Sequence, residues 1–518
     1  MTALLTDNLP LLAGAPNGIK RLRELILELA VRGKLLPQDP NDEPARELLK
    51  RIAKEKAQLE LAGQIRKQKP LSEIAEEEQP FELPAGWAWA RLADIAFSQA
   101  GFAFKSNGFN QAGLGLPLIR IRDVGQAFSG TYYEGDYRPE FLVQRGDYLI
   151  SMDGEFRVAA WEGEASLLNQ RVSRLVFFGE EIARRFIADS LQARLLELQG
   201  VKAYTTVDHL SGGQISESVI ALPPLAGQHR IVAKVDELMA LCDRLEAQQA
   251  YAESDHTQLV QALLDSLTQA SDATDFATNW QRLAEHFHTL FTTEPSIDAL
   301  KQTLLQLALT GKLTSSEILR HLPIQDIARL IDGDRGKNYP KPHDYLPEGY
   351  CLFLSTKNVR DGCFEFNEKQ FISEEKHKTL RSGKLERGDV VITTRGTLGN
   401  TAWYSDLVPY EEIRINSGML IIRCNSEIIY QAFLLKYLQS PVFGKQLKDM
   451  RTGSAQPQIP AGILKKFLIP IFSTQEQHRI VAKVDQLMAL CDQLKTRLTQ
   501  ARQLNEQLAT ALVEKAVA

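Results

Sequence analysis

The chain is short of several things, and each shortage closes off a class of protein. No apolar run in its 518 residues approaches the ~20 needed to cross a bilayer, so no membrane span is expected. The opening stretch MTALLTDNLPLLAGAPNG lacks the basic lead and long apolar core of a secretory signal. Cysteine is scarce: five residues, dispersed, with no CxxC pair. Neither a disulfide framework nor a zinc site is expected, and a reducing cytoplasm fits. Neither sign of charge dominates, with 60 basic against 65 acidic residues and a net charge of −5. Taken alone, that balance argues against general affinity for nucleic acid. What is plentiful is apolar residues, 44% of the chain, enough to exclude a disordered or fibrous polymer.

Catalytic signatures are also missing. There is no GxxxxGK[ST] phosphate loop, no GxSxG, no HExxH and no kinase set. The Asn-Pro-Pro-Tyr type of motif with which amino-methyltransferases hold a flipped base is absent. Gly113 and Gly115 form a lone fragment that reads as a loop. Asp153 and Glu155 are spaced as a pair that could hold Mg²⁺, but the corresponding second-half stretch, Thr394 to Gly396, carries no acid. His229 and His478 each stand at a helix start, where capping or packing is the expected role.

What is present is repetition. Residues 228–246 read QHRIVAKVDELMALCDRLE, and residues 477–495 read QHRIVAKVDQLMALCDQLK. Sixteen of 19 positions match at an offset of 249. A weaker pair, IKRLRELILELAVRGKL at 19–35 and IDALKQTLLQLALTGKL at 297–313, matches at eight of 17 positions with an offset of 278. A third echo joins Arg145, Gly146, Asp147 and Trp161 to Arg387, Gly388, Asp389 and Trp403 at an offset of 242. The change of offset places an insertion of about 36 residues in the first half, in the charged stretch 37–80. Gly33 and Gly311, each followed by Lys-Leu, are expected to close a helix in the left-handed conformation.

The longer repeat has helical periodicity. Apolar residues fall at Ile231, Val235, Leu238, Cys242 and Leu245, then continue through Gln249, Ala252, His256, Leu259 and Leu263. The second copy runs Ile480, Val484, Leu487, Cys491, Leu494, Leu498, Ala501, Asn505, Leu508 and Leu512. Alternating steps of four and three are a coiled-coil seam, with His256 and Asn505 as polar register-setting positions. Each helix either packs in the core of its own domain or pairs with its copy, and two matching seams in one chain favour pairing. The segments between are strand-like: residues 117–124, 147–151 and 173–178 in the first half, 389–394 and 418–423 in the second. Short β-branched runs bounded by Gly, Asp and Asn indicate a mixed α+β domain in each half.

This order, helix, variable domain, long helix, given twice, resembles the specificity subunit of type I restriction-modification enzymes. The 228–246 and 477–495 repeats carry the resemblance. So do their Pro-rich lead-ins (LPPLAGQ and IPIFSTQEQ), the run GKLLPQDPNDEPARELLKRI from Gly33 and FELPAGWAWARLADI from Phe81. It implies an α+β chain of two tandem target recognition domains, separated and joined by long helices paired as an antiparallel coiled coil with pseudo-two-fold character. The implied division is a helical region with a charged insert (1–80), recognition domain 1 (81–224), a central spacer (225–313), recognition domain 2 (314–472) and a C-terminal helix (473–518). Each recognition domain would read one half of a split site in double-stranded DNA. Two modification (methyltransferase) subunits and the restriction (helicase-nuclease) subunits would be its partners. No cofactor is expected on this chain; S-adenosylmethionine, ATP and Mg²⁺ would belong to those partners. The competing readings are a stand-alone sequence-specific nuclease and a coiled-coil adaptor with no DNA role.

Charge then separates the domains. Residues 81–221 hold 13 basic and 17 acidic residues, whereas 314–470 hold 22 and 18, so the second domain has the plainer footprint for phosphate. Lys445, Lys448, Arg451, Lys465 and Lys466 fall late in it. Candidates for base contact are Lys105, Ser106, Asn107, Arg120, Arg122 and Arg157 in the first domain. In the second they are Lys357, Asn358, Arg360, Arg395 and Thr397, with Arg451, Gln456 and Gln458 in or beside a Gly/Gln-rich stretch. A solvated surface charge is the alternative for each one singly. Arg230, Lys234, Arg479 and Lys483 lie on helix faces open to a partner or to solvent.

Overall fold

The computed structural model describes residues 12–65, 71–201, 209–360, 362–449 and 458–517. The chain divides into two compact units, Met1–Ala250 with Arg502–Ala518, and Tyr251–Ala501. Among the described residues, no helix is long and apolar enough to cross a membrane.

The first unit opens with helix α1 (Gly18–Val31), which buries Leu22, Leu25, Ile26 and Leu29 on one face. Gly33 follows at φ 69°, where a Cβ would strike Pro84 and Trp87. The charged insert holds helix α2 (Ala45–Leu61), which buries Ala45, Leu48 and Ile52 on a single face. Strand β1 (Ala88–Arg91) leads into β2 (Ala96–Ala100), β3 (Leu116–Ile119), β4 (Tyr148–Ser151), β5 (Val158–Ala160), β6 (Ser166–Leu168) and β7 (Val172–Phe177). Helices α3 (Arg184–Val201) and α4 (Gly212–Glu217) precede β8 (Val219–Leu222), which returns antiparallel to β1 and closes the domain. The central sheet runs β2-β7-β4-β5, antiparallel throughout. Beside it β3 and β6 pair in parallel.

Helix α5 (Leu225–Gln269) is 45 residues of unbroken helix that begins in the first unit and ends in the second. The second unit continues with α6 (Ala273–Glu285) and α7 (Glu294–Leu309), after which Gly311 takes φ 77°. Its strands are β9 (Arg320–Pro323), β10 (Ala328–Asp332), β11 (Cys351–Leu354), β12 (Val390–Thr393), β13 (Thr401–Trp403), β14 (Ile413–Ile415) and β15 (Met419–Cys424). Helices α8 (Gln431–Leu438), α9 (Pro441–Asp449) and α10 (Ala461–Leu464), strand β16 (Leu468–Ile471) and helix α11 (Thr474–Val517) complete the chain. The main plan of the first unit is repeated, although its parallel pair lies in a five-stranded sheet and that of the second unit in a three-stranded one. The central sheet runs β10-β15-β12-β13, β11 and β14 pair in parallel, and β9 closes on β16. The β-branched run Val390, Val391, Ile392 fills both faces of its sheet because both faces are covered.

The start of each long helix is a core element of its own unit. Ile231 and Val235 lie in the first unit's core, and Ile480 and Val484 lie among Val390, Ile422, Phe433 and Phe467 in the second. The fixing residue is the Gln that opens each repeat. Gln228 accepts from Ala183 N–H (3.0 Å) and donates to the Pro223 carbonyl (3.0 Å). Gln477 accepts from Tyr430 N–H (2.8 Å) and donates to the Ile428 and Phe472 carbonyls (2.9 Å each). Each Gln thereby ties the long helix to the start of its domain's own helix, α3 or α8. Next to it, His478 stacks on Tyr430 and His229 is exposed.

Farther along, Cys242, Leu238 and Leu245 pack with α1 and with Ala509, Leu512 and Val513 of α11 in the first unit. In the second unit Val260, Leu264 and Leu267 share a cluster with α7 and with Leu487, Cys491 and Leu494. At these ends buried residues fall on the seam positions, and in between the buried line shifts. Leu259 is 53% exposed and Val260 is buried in its stead; Leu508 is 48% exposed and Ala509 is buried. A straight helix advances 3.6 residues per turn, so a strict heptad stripe drifts about 20° per heptad, and the buried line moves over by one residue. The two polar seam positions are corrected accordingly. The half-buried His256 places Nε2 3.1 Å from the Thr289 carbonyl, and Asn505 is exposed.

Charge distinguishes the two helical clusters. In the first unit Arg23 of α1 pairs with Asp243 (2.7 Å) and Glu246 (2.8 Å). The repeat maps Arg23 onto Lys301 and Asp243 onto Asp492, and these pair at 2.7 Å in the second unit. Glu246 maps onto Lys495, a reversal of sign, and Lys495 pairs with Asp298 (2.9 Å) and Glu294 (3.4 Å). Asp298 itself stands where the first copy has Lys20.

Candidate nucleic-acid interface

In both domains a turn follows the strand of the parallel pair, and a buried side chain locks it. After β3, the Asp123 carboxylate accepts from Arg120 N–H (2.7 Å) and Ser129 N–H (2.8 Å). This leaves Arg122 exposed, its guanidinium held by Ser129 Oγ (3.0 Å) and Thr131 Oγ1 (3.2 Å). Arg120 is half-buried, and Lys105, Ser106 and Asn107 form an exposed turn of their own. Arg157 is ion-paired with Glu155.

The matching turn after β11 corrects one expectation. Asn358 takes the place of Asp123 and is only 4% exposed. Its Oδ1 accepts from Ser355 N–H and Oγ, and its amide donates to the Glu365 and Glu368 carbonyls. Every polar position on the side chain is engaged, so Asn358 closes a turn and does not face a base. Arg360 donates to the Thr356 (3.1 Å) and Val359 (2.9 Å) carbonyls and braces the same turn. Exposed Lys357 reaches Glu368 at 2.9 Å.

Arg395 and Thr397 lie exposed on the β12–β13 hairpin, whose tip is cinched by the Thr393 hydroxyl donating to the Thr397 carbonyl. Gln458 is exposed as well, while Arg451 and Gln456 lie outside the described residues. Lys445 and Lys448 ride on α9, and Lys465 and Lys466 follow α10. Of the helix-face cations, Arg230 pairs with Asp42 of the insert, Lys234 with Glu237 and Arg479 with Glu476.

The first domain also contains a group that sequence reasoning missed. Asp153 lies at the β4–β5 hairpin, with a side chain only 10% exposed. One carboxylate oxygen meets Arg171 Nη1 and the other His209 Nδ1, each at 2.5 Å. Burial alone would raise this carboxyl, but the contacts with His209 and Arg171 outweigh it and hold the group below the ordinary aspartate range. Asp153 and Glu155 each face a cation of the protein. Arg171 adopts φ 70°, one of three non-glycine residues with positive φ among those described. No local sequence signal marks it, and Gly418 at the matching turn of the second domain is not in the left-handed region.

A family model described as the type I restriction modification DNA specificity domain matches residues 84–253 and again 323–502. Each match begins at a recognition domain's first strand region and runs into the long helix behind it. The chain belongs to this family. The specificity subunit of the type I restriction enzyme EcoAI of Escherichia coli is 35% identical, over 96% of this chain and 94% of that one. The EcoEI specificity subunit, also of Escherichia coli, is 33% identical with the same coverage. A solved structure described as showing complex assembly and conformational transition of the type I R-M system matches with a TM-score of 0.49 and 20% identity, over 85% of this chain and 99% of that one. As a member of the specificity family, the chain carries DNA sequence recognition, and its two domains are the tandem recognition modules.

Proposed function

We propose that this chain is the non-catalytic DNA-reading subunit of a type I restriction-modification complex, each recognition domain taking one half of a split duplex site. The observation that carries the reading is the duplicated plan: the same sheet order, the same parallel pair and the same closing strand pair occur twice in a chain of the specificity family. Two copies of one reader imply two short blocks of specified bases, and long helices of fixed length imply a fixed gap between them. Methyl transfer, ATP use and strand cleavage then lie on the modification and restriction subunits, with S-adenosylmethionine, ATP and Mg²⁺. The side chains assigned to DNA are Lys105, Asn107, Arg120 and Arg122 in the first domain, and Lys357, Arg395, Thr397 and Gln458 in the second. The second domain's basic excess supplies more of the salt-dependent grip on phosphate.

Mapping methylated bases in host DNA with and without the gene tests this. The expected result is one motif of two short blocks around a constant unspecified gap. A continuous motif, or no change, overturns the reading. Replacing residues 314–470 by the corresponding domain of another family member should alter one block only. Inserting about one heptad near Ala250 should change the gap or abolish modification, with both blocks retained.

A further inference from the structure

Two backbone hydrogen bonds recur in the two recognition domains and mark a shared position. In the first domain Met152 N–H donates to the Arg171 carbonyl (2.9 Å), and Leu210 N–H donates to the Met152 carbonyl (2.7 Å). In the second, Thr394 N–H donates to the Gly418 carbonyl (2.8 Å), and Ile459 N–H donates to the Thr394 carbonyl (3.1 Å). The same three segments therefore meet at one node in each domain. They are the end of the inner strand (β4 or β12), the turn before its neighbour (β7 or β15), and the lead-in to the last short helix (α4 or α10). Asp153 corresponds to Arg395, Arg171 to Gly418, and His209 to Gln458.

The two backbone hydrogen bonds recur, but the chemistry at this node differs between the domains, and so does the turn residue's backbone: Arg171 has φ 70°, whereas Gly418 is not in the left-handed region. In the first, the nearly buried Asp153 carboxylate holds two outward groups, Arg171 at 61% and His209 at 58% exposure. The acid fixes their orientation and leaves further guanidinium N–H groups, and the second imidazole nitrogen, facing out. In the second, the turn residue is Gly418, and the hairpin itself supplies an exposed Arg395 with no side-chain partner among the described residues. Gln458 is exposed beside it. Each node thus presents one arginine and one smaller polar side chain: the Gln458 amide both donates and accepts, and the outward nitrogen of His209 accepts when neutral or donates when protonated. That pairing suits base edges in the major groove, where arginine takes guanine bidentately and an amide takes adenine. Pre-orientation by Asp153 lowers the ordering cost of binding.

We propose that these equivalent nodes are the specificity-determining positions of the two half-sites. Arg171 and His209, positioned by Asp153, read the first block, and Arg395 with Gln458 reads the second. This inference rests on the DNA-reading function proposed above and commits to a guanine under each arginine.

The test uses the full-length chain, purified with the subunits it carries in its host, and a randomised duplex DNA library as the probe. The variants are Arg171→Gly and His209→Gln, which install the second domain's residues, together with Arg395→Ala. Arg171→Gly is expected to lose guanine preference at one position of one block by roughly ten- to a hundredfold, with the other block unchanged. Its unfolding midpoint should stay close to the parent's, because glycine takes φ 70° freely and His209 still partners Asp153. His209→Gln should shift preference within that same block, and Arg395→Ala should act on the other. Base preferences unchanged in the variants overturn the assignment, as does uniform weakening on all sequences, which marks phosphate contact. If the unmutated complex itself selects no split motif, the reading beneath fails, and this inference with it.

Discussion

Replacing Gln477 with Met isolates the tie between a long helix and its recognition domain. Gln477 is fully buried and makes three hydrogen bonds, from Tyr430 N–H and to the carbonyls of Ile428 and Phe472. Methionine matches its length and restores apolar volume, so packing changes little while the polar partners are orphaned. A buried polar group left without a partner costs about 1–3 kcal/mol. Counting only the Tyr430 N–H and the Phe472 carbonyl, and allowing for the apolar gain, the loss is about 2–4 kcal/mol. In a unit of this size that lowers the unfolding midpoint by roughly 5–15 °C. The assay is calorimetric unfolding of Gln477→Met beside Gln486→Met, an exposed site on the same helix, expected within about 0.5 kcal/mol of the parent. A Gln477→Met midpoint indistinguishable from the Gln486→Met control refutes the argument. The first-unit counterpart, Gln228→Met, should behave alike.

Further outcomes follow from other named contacts. Burial, then the Arg414 guanidinium, pushes His377 below the ordinary histidine range, although Glu412 pulls the other way. The unfolded chain then takes up the proton first, so stability is complete above about pH 6.5 and falls as the pH drops through that range, by at most about 1.4 kcal/mol per pH unit. Denaturant titrations at pH 7.5 and 5.5 should show this slope reduced in His377→Gln, and an unchanged slope contradicts it. Asn358→Ala should destabilise the second unit by about 1–3 kcal/mol without altering base preference; altered preference with intact stability would restore Asn358 to the interface. Glu246→Lys places a cation beside Arg23, and Lys495→Glu an anion beside Asp298 and Glu294. Each should lower the midpoint in low salt and recover in high salt, and salt-independent changes would show that charge is not what distinguishes the clusters.

Much of the fold was legible because duplication writes itself twice. The 249-residue offset marked both long helices, and the 278-residue offset marked both short helices with their closing glycines. The β-branched runs marked the central strands. The helix interior was harder to read. A heptad count placed Leu259, Leu508 and Asn505 on the seam, yet all three are exposed, because a straight helix turns its stripe away within two or three heptads. The role of Gln228 and Gln477 was invisible for another reason: their partners, Ala183 and Tyr430, are tens of residues distant. Asn358 looked like a base reader because its residue type is right. Asp123 at the matching turn, a residue that can only accept when ionised, was the clue that the position closes a turn.

The sequence by itself determined the class of the protein: a tandem chain, mixed α+β domains, long helices between them, and the family that shares this order. Those features are local periodicities and repeats, and each is written in adjacent residues. Only the tertiary structure decided which polar side chains are free to meet DNA. That property depends on who else is near. Asn358 is consumed by its own turn, whereas Arg171 and His209 are aimed outward by an acid that sits 18 residues before one and 56 before the other. Hydrogen-bond capacity is settled by neighbours in space, and the chain order does not list them.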